Sequence, residues 1–383
     1  MIYLDNAATT FPKSRHVLEK MVKEYIKAGV SPGRGGYDLA VMAGDLVDRT
    51  RSRIARFFGA PDPDRVVFCA NATDGLNLAL LGLLRPGDHV VTTRLEHNSV
   101  LRPLHYLQKN GGVTVTFIPF DGQGFVDPDD IARAIRSETA LVVVNHVSNV
   151  LGTIQPVAQA GDTCAAHGIP LLVDASQSAG QIPVDMARMK ASAIVFTGHK
   201  ALYGPSGIGG LVIHPDLDIR STRFGGTGVE SKSPVHTPRF PHRLEAGTHN
   251  LMGIIGLSLA IDDLEKNGLP AIQEQEMMLF QNLLEGLSAI EGIKLYGASD
   301  RSRHVALLSV NVDGIAPEDV GAILDADFGI CVRAGLHCAP LVHESLGTGD
   351  RGTVRFSLGR YNNAADIAIA ISAMAAIAQR PST

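Results

Sequence analysis

The stretch "VRAGLHCAPL", Val332–Leu341, sets a cysteine among glycine, histidine and proline, five residues after an arginine. The chain has four cysteines in 383 residues: Cys69, Cys164, Cys331 and Cys338. A cysteine can fill a core, close a disulfide, bind a metal or act as a nucleophile, and its surroundings select among these. Cys69 in "VVFCA" and Cys164 in a helical pattern have the surroundings of small buried hydrophobes, and so does Cys331 at the edge of an apolar run. None forms a C-x-x-C pair, and a chain this long needs no staples, so a disulfide framework is not expected. No spaced Cys/His set accompanies His337 and Cys338, which leaves zinc poorly supported. Core filling is the weakest account of Cys338, which lies outside any apolar run. A nucleophile must be ionised, and Arg333 and His337 are the nearby groups that could favour a thiolate.

A second set of able residues follows a series of apolar runs. "VVFCANATDGLN" ends in Asn71, Ala72 and Thr73, and "VVTTRLEHNSV" in Glu96, His97 and Asn98. "VVVNHVSNVLGT" supplies Asn145, His146 and Asn149; "LLVDASQS" supplies Asp174 and Gln177; "IVFTGHKALYGPSGIGG" supplies Thr197, His199 and Lys200. Singly, each has an ordinary role: Thr73 as a helix N-cap, Asp174 at a turn, Lys200 in solvent. Together, a lysine, an acid and a helix start with hydroxyls are the parts that hold pyridoxal phosphate. The lysine binds the aldehyde, and the carboxylate keeps the pyridine nitrogen protonated. Backbone N–H groups take the phosphate, and an imidazole can stack on the ring. The glycines after Lys200 would let backbone pass close to that ring, and they do not fit a nucleotide-binding P-loop.

Such residues must be placed by a sheet. Seven apolar runs recur, at 66–70, 89–93, 113–120, 140–147, 170–176, 193–198 and 209–214. Most lack polar alternation, the pattern of strands buried on both faces. Helical stretches at 73–84, 97–110, 128–136 and 156–167 lie between them, so the expected fold is α/β with a mostly parallel sheet. Ligands of such sheets sit beyond the carboxyl ends of the strands, where the polar residues fall. Residues 223–250 are rich in Gly, Pro, Ser and Thr and form a long irregular segment, a length usually tied to function. Helical patterns at 251–266 and 270–290 follow. A separate α+β pattern then runs through 304–312, 317–327, "CVRAG", 352–358 and 364–378. The expected domains are a large one over 15–250 and a small C-terminal one over 251–383, joined by residues 1–14.

Composition is that of an ordinary globular chain: 45% hydrophobic, 19% charged, net charge −5. Nothing in it suggests nucleic-acid or acidic-membrane binding. No apolar run is long enough to cross a membrane, and "MIYLDNAATTFPKS" lacks a secretory pattern, so a cytoplasmic location is expected.

Seven motifs, "YLDNAATT", "LEHNSV", "VSNVLGT", "VDASQSAG", "FTGHKALYGPSGIGGL", "RLEAGTHN" and "RAGLHCAP", resemble the class V aminotransferase family and, within it, the cysteine desulfurases. The short "RAGLHCAP" loop is similar to that of the group II members, which include the selenocysteine lyases and the enzyme of a sulfur-mobilisation system for iron–sulfur cluster assembly. The resemblance runs in order from Tyr3 to beyond Arg355. It implies a fold type I pyridoxal phosphate-dependent transferase with a seven-stranded sheet and a smaller α+β C-terminal domain. Lys200 then matches the cofactor lysine, Asp174 the acid on the pyridine nitrogen, Gln177 the residue at the ring hydroxyl and His97 the stacking histidine. Ala72, Thr73, Thr197 and His199 match the phosphate grip, with Thr248 reaching it from the other subunit of a homodimer. Asn149 and Arg355 match groups on the substrate carboxylate, with Arg333 beside them, and Cys338 matches the sulfur acceptor. Two places depart: "RGGYDLA" has Tyr37 where relatives often carry a histidine, and "FGGTGVES" also differs.

The activity so implied converts L-cysteine to L-alanine and leaves a persulfide on Cys338, from which a mobile loop would pass sulfur to an acceptor protein. The alternatives are a selenocysteine lyase acting on L-selenocysteine, or another class V aminotransferase or carbon–sulfur lyase forming no persulfide. A non-catalytic sulfur carrier with a decayed site is a third reading, against which the intact Lys200, Asp174 and Arg355 argue.

Overall fold

In a computed structural model describing residues 1–32, 35–297 and 301–380, the polar residues above stand at the ends of one sheet. The chain begins with β1 (Ile2–Tyr3), α1 (Arg15–Ala28) and α2 (Asp38–Phe57). Then β2 (Val66–Cys69), α3 (Ala72–Leu83), β3 (His89–Thr93), α4 (Asn98–Asn110), β4 (Thr114–Ile118), α5 (Pro128–Ala134) and β5 (Thr139–Asn145) alternate. α6 (Val157–His167), β6 (Leu171–Asp174), β7 (Ala193–Thr197) and β8 (Gly209–Ile213) complete the sheet. Its order is β2-β8-β7-β6-β5-β3-β4. All neighbours pair parallel except those of β8, which runs antiparallel to both β7 and β2.

The runs form strands because their β-branched side chains pack on both sheet faces. Val142, Val144, Val173, Ile194 and Phe196 face one apolar layer, and Leu141, Val143, Leu172 and Val195 face the other. At the β4 edge burial falls off and polar threonines appear, as an edge strand permits. Side chains start the helices where the sequence offers them: Asn71 before α3, His97 before α4 and Asp127 before α5. Thr73 is thus the second residue of α3, not its N-cap. Gly168 ends α6 in the left-handed conformation at φ 67°.

Residues 214–250 contain no helix or strand. α7 (Leu251–Asn267) packs on α1 and α2, and its Ile254, Leu257 and Ile261 join the core of the large sheet. α8 (Leu269–Ser288) leads into β9 (Ile293–Tyr296), β10 (Leu307–Val312), α9 (Pro317–Phe328), β11 (Ile330–Cys331) and β12 (Arg333–Gly335). α10 (Pro340–Leu346), β13 (Thr353–Ser357) and α11 (Ala364–Ala378) follow. The second sheet is antiparallel, in the order β12-β13-β10-β9, and shares a core with α8, α9 and α11. β1 pairs parallel with β11.

α1 and α2 were not evident from periodicity. The buried face of α2 consists of Ala40, Ala43, Val47, Thr50, Arg51, Ile54 and Ala55, too small and too polar to stand out. Cys69 and Cys164 are buried as expected, but Cys331 is half-buried, because two-residue β11 lies at the surface beside β1. Arg34 of "RGGYDLA" lies outside the described residues; Tyr37 precedes α2 and is exposed.

Candidate active site

The carboxyl ends of the parallel strands open into a cleft of about 290 Å³. At one end stands the N-terminus of α3. Asn71 accepts from the Asp74 N–H at 3.0 Å and Asp74 accepts from the Ala70 N–H at 3.0 Å, so Ala72 and Thr73 are left facing the cleft. Across from them Thr197, the last residue of β7, buries its Oγ1 with no hydrogen-bond partner among the described residues. A helix start and an orphaned hydroxyl make a site for an anion.

At the other end Asp174, the last residue of β6, is 5% exposed. Its Oδ1 accepts from the Ser176 N–H at 2.9 Å and from the Ser176 hydroxyl. Gln177 donates to the Ala7 carbonyl at 2.9 Å. Lys200 lies between the two ends, on the loop after β7, and is partly exposed into the cleft it lines. Burial lowers its pKa from 10.5 to about 8; Arg355 and Arg333 push the same way and Asp174 opposes them. At neutral pH roughly a tenth of such an amine is uncharged, against about one part in three thousand for a solvated lysine.

His97 caps α4, its Nδ1 accepting from the Ser99 N–H at 3.0 Å. The neutral ring therefore carries its proton on Nε2. Burial, with Lys200 and Arg355, brings its pKa down to about 4, so the ring is neutral when it faces the cleft. Beneath it Glu96 is fully buried, and Oε1 accepts from the Thr93 hydroxyl at 2.8 Å and the Asn145 N–H at 3.0 Å. Burial outweighs those bonds and raises this acid to about 8, so it is mostly protonated at neutral pH. His199 is held at about 4 by burial, Lys200 and Lys13.

The third wall comes from the C-terminal sheet. Arg333 on β12 pairs in register with Arg355 on β13. Arg355 is 2% exposed; its Nη2 meets Asp5 at 2.9 Å and its Nη1 donates to the Asn149 carbonyl at 2.9 Å. Arg333 is exposed and has no ion pair among the described residues.

Cys338 is exposed at the cleft mouth. His337 and Cys338 both adopt left-handed backbone, with φ of 47° and 58°. Two such non-glycine residues store strain, which the surroundings hold. Asn149 Nδ2 donates to the His337 carbonyl at 2.5 Å, the Asn98 N–H to the Cys338 carbonyl at 2.7 Å, and the Ala339 N–H to the Leu336 carbonyl at 2.9 Å. The His337 ring meets the Thr353 hydroxyl at 3.0 Å. The loop expected to be mobile is thus tied to α4, to the turn after β5 and to β13. The expected help from His337 also changes: burial first, then Arg355, bring its pKa to about 2. It is a neutral spacer, and Arg333, Arg355 and Lys200 are the cations of the cleft.

Of the residues singled out in the sequence, Ala72, Thr73, His97, Asn149, Asp174 and Gln177 line this one cleft, as do Thr197, His199, Lys200, Arg333, Cys338 and Arg355. Thr248 does not; it is exposed in a separate groove beside residues 226–229. Ala7, Ala8, Ser99 and Ser176 also line the cleft and had been given no role. The motif "YLDNAATT" held the signal for the first two, but nothing local said where that strap would lie. Among the described residues no group of three or more His, Cys, Asp or Glu side chains could hold a metal ion.

The pattern of the family described as Aminotransferase class-V matches residues 2–369. The chain is 37% identical over 372 residues to a probable cysteine desulfurase of Methanothermobacter thermautotrophicus, covering 96% of this chain and 92% of the relative. A probable cysteine desulfurase of Pyrococcus abyssi is also 37% identical, over 375 residues, with 96% and 92% covered. Among solved structures, the apo cysteine desulfurase of Thermococcus onnurineus superposes with a TM-score of 0.92 at 37% identity, covering 99% of this chain and 94% of that one. The cysteine desulfurase CsdA of Escherichia coli, in an S-sulfonic acid form, gives 0.86 at 28% identity, covering 97% and 93%.

Proposed function

The chain belongs to the class-V aminotransferase family, and from that premise we propose that it is a pyridoxal phosphate-dependent cysteine desulfurase, with Cys338 as the sulfur acceptor. The observation that carries this reading is one cleft containing an amine of lowered pKa, a buried carboxylate and an exposed cysteine.

The residues present fit the cofactor. Thr197 Oγ1 is an orphaned buried hydroxyl beside the start of α3, which suits a phosphate. Asp174 is held on one oxygen only, which leaves the other for a pyridine nitrogen. Ala72, Thr73, Thr197 and His199 would hold the phosphate, Gln177 the ring hydroxyl, His97 the ring face and Lys200 the aldehyde carbon. When bound, pyridoxal phosphate supplies an aldehyde that takes up amines and a ring that accepts an electron pair from the carbon attached to that nitrogen.

The chain's own groups do the rest. Arg355, with Asn149 and Arg333, receives the carboxylate of L-cysteine. The Lys200 amine takes the proton from the substrate α-carbon, a task suited to a base poised near 8. The Cys338 thiolate attacks the substrate sulfur; an S–S bond forms, the carbon–sulfur bond breaks with its electron pair left on the carbon side, the β-carbon takes up a proton, the α-carbon regains its own from Lys200, and L-alanine leaves. The pinned loop keeps Cys338 at the cleft mouth, within reach of both substrate and a sulfur-acceptor protein.

A homodimer belongs to the same reading. Thr248 stands exposed outside its own cleft, and Ile26, Tyr37, Val41 and Met42 expose apolar surface on and beside α1 and α2 that a second copy would cover. A cytoplasmic setting also belongs to it; no helix among the described residues is long and apolar enough to cross a membrane.

The deciding experiment is to incubate the holoprotein with L-cysteine, with and without reductant, and measure alanine and sulfide. Stoichiometric alanine with sulfur retained on protein until reductant is added supports the proposal. Alanine without protein-bound sulfur would favour the lyase alternative, and preference for L-selenocysteine would favour the selenocysteine lyase.

A further inference from the structure

"YLDNAATT" contains one acid, Asp5, to which the proposed reaction gives no role. It is the counter-ion of Arg355, at 2.9 Å, with side chains 17% and 3% exposed respectively. Among the described residues, the only acid lining the cleft itself is Asp174. From Asp5 a continuous set of bonds reaches the sulfur site. Arg355 Nη1 donates to the Asn149 carbonyl at 2.9 Å, and Asn149 Nδ2 donates to the His337 carbonyl at 2.5 Å. The next residue is Cys338, whose carbonyl accepts from Asn98, the neighbour of His97, at 2.7 Å.

The backbone of Asp5 is fixed independently of its carboxylate. It bridges to Ser357 at the end of β13, its carbonyl accepts from the Ala8 N–H at 3.1 Å, and the Leu4 N–H donates to the Cys331 carbonyl at 2.8 Å. Backbone bonds thus hold the strap beside this ion pair, and among the described residues the carboxylate's hydrogen-bond partner is Arg355. An unpaired guanidinium in this cleft would be drawn toward Asp174, the group the ring nitrogen needs.

We propose that Asp5 is a positioning residue: it holds Arg355 toward the incoming carboxylate. This rests on the desulfurase reading, and it assigns to the N-terminal strap a part in substrate selection. The effect should be confined to ligands that carry a carboxylate.

The test compares L-alanine with ethylamine, which differs only by lacking the carboxylate, titrated into holoprotein and followed by cofactor absorbance. In Asp5→Ala the Kd for L-alanine should rise about tenfold or more, while that for ethylamine stays within about twofold. KM for L-cysteine should rise in parallel, with kcat kept within about threefold. Asp5→Asn, which retains an acceptor oxygen for Arg355, should stay within about threefold of wild type for L-alanine. Asp5→Ser replaces Asp5→Ala should the latter fail to fold. Equal weakening of both ligands would mean a general disturbance and would overturn the proposal, as would unchanged affinity in Asp5→Ala. Wild-type holoprotein that does not respond to L-alanine would instead remove the desulfurase reading, and this inference with it.

Discussion

Burial, aided by the cations of the cleft, sets the protonation of Lys200 and His97. Burial, with Arg355 and Arg333, lowers Lys200 to about 8, and burial, with Lys200 and Arg355, keeps His97 at about 4. Asp174 pulls both upward and is outweighed. The result is an amine that can shed its proton and a ring that can lie on a cofactor without carrying charge. Cys338 differs from the other three cysteines in being exposed. Cys338→Ala should therefore keep the cofactor and its response to L-cysteine. It should lose about 10²-fold or more of alanine release from L-cysteine, or roughly 3 kcal/mol of transition-state stabilisation. Activity on L-selenocysteine should survive better, because carbon–selenium bonds are weaker. Wild-type alanine release by the variant, measured by amino-acid analysis, would remove Cys338 from the mechanism.

At the scale of elements, the site depends on ends rather than middles: the start of α3, the cap of α4, the turns after β5, β6 and β7, and the strained pair before α10. The irregular segment 214–250 is anchored by one buried ion pair. Arg51 of α2 meets Glu245 at 2.6 Å, with side chains 4% and 3% exposed. Glu245 also accepts from the Phe68 N–H at 2.6 Å and lies 2.7 Å from the His249 Nε2. Burial would raise this acid, but Arg51 and His249 hold it near 2. Removing one partner leaves a buried charge unpaired, so Glu245→Ala should cost about 3–5 kcal/mol in denaturant unfolding. Since Thr248 lies three residues on, the same variant should also weaken cofactor retention. A loss within the range of surface substitutions would show that the segment is held by packing instead.

At the scale of the whole molecule, residues 1–14 join the two sheets across the cleft. β1 pairs with β11, Asp5 meets Arg355, and the Thr9 and Thr10 side chains donate to the His199 carbonyl at 3.0 and 3.2 Å. In the proposed dimer, Thr248→Ala should weaken cofactor retention several-fold without changing the fold, read by dialysis and absorbance. A fully active monomer in sedimentation would exclude the shared site. Stability should also depend on pH in a defined way. Burial holds His97, His146, His199 and His343 at about 4 and His337 at about 2, below the ordinary 6.5. Their contribution is complete above 6.5 and lost as pH falls through 4. Burial raises Glu96 and Glu276 from 4.5 to about 8; theirs is complete below 4.5 and lost as pH rises through 8. The histidines outnumber the acids, so the thermal midpoint should peak near pH 6.5 and fall on both sides. Glu96→Gln should flatten the alkaline fall; a midpoint rising steadily to pH 8 would mean these acids are ionised.

The large sheet is written in the local sequence, because uninterrupted β-branched runs can be buried only between two layers, and so are the polar residues that end its strands. The sequence also marked Cys338, since a cysteine among Gly, His and Pro has no core to fill. It left α1 and α2 unmarked, because small residues and a buried arginine carry little periodic signal. Whatever depends on long-range contact comes from the folding of the whole chain. The Cys338 loop is fixed by bonds from Asn98, Asn149 and Thr353, residues up to 240 positions away in the chain. His337 is neutral because it is buried beside Arg355, which no local spacing reveals. Asp5 and Arg355 are 350 residues apart, and their pairing exists because β1 and β13 flank the same cleft. Thr248 shows the converse: its motif was legible, yet its place outside its own cleft was decided by the way the irregular segment folds back on Arg51.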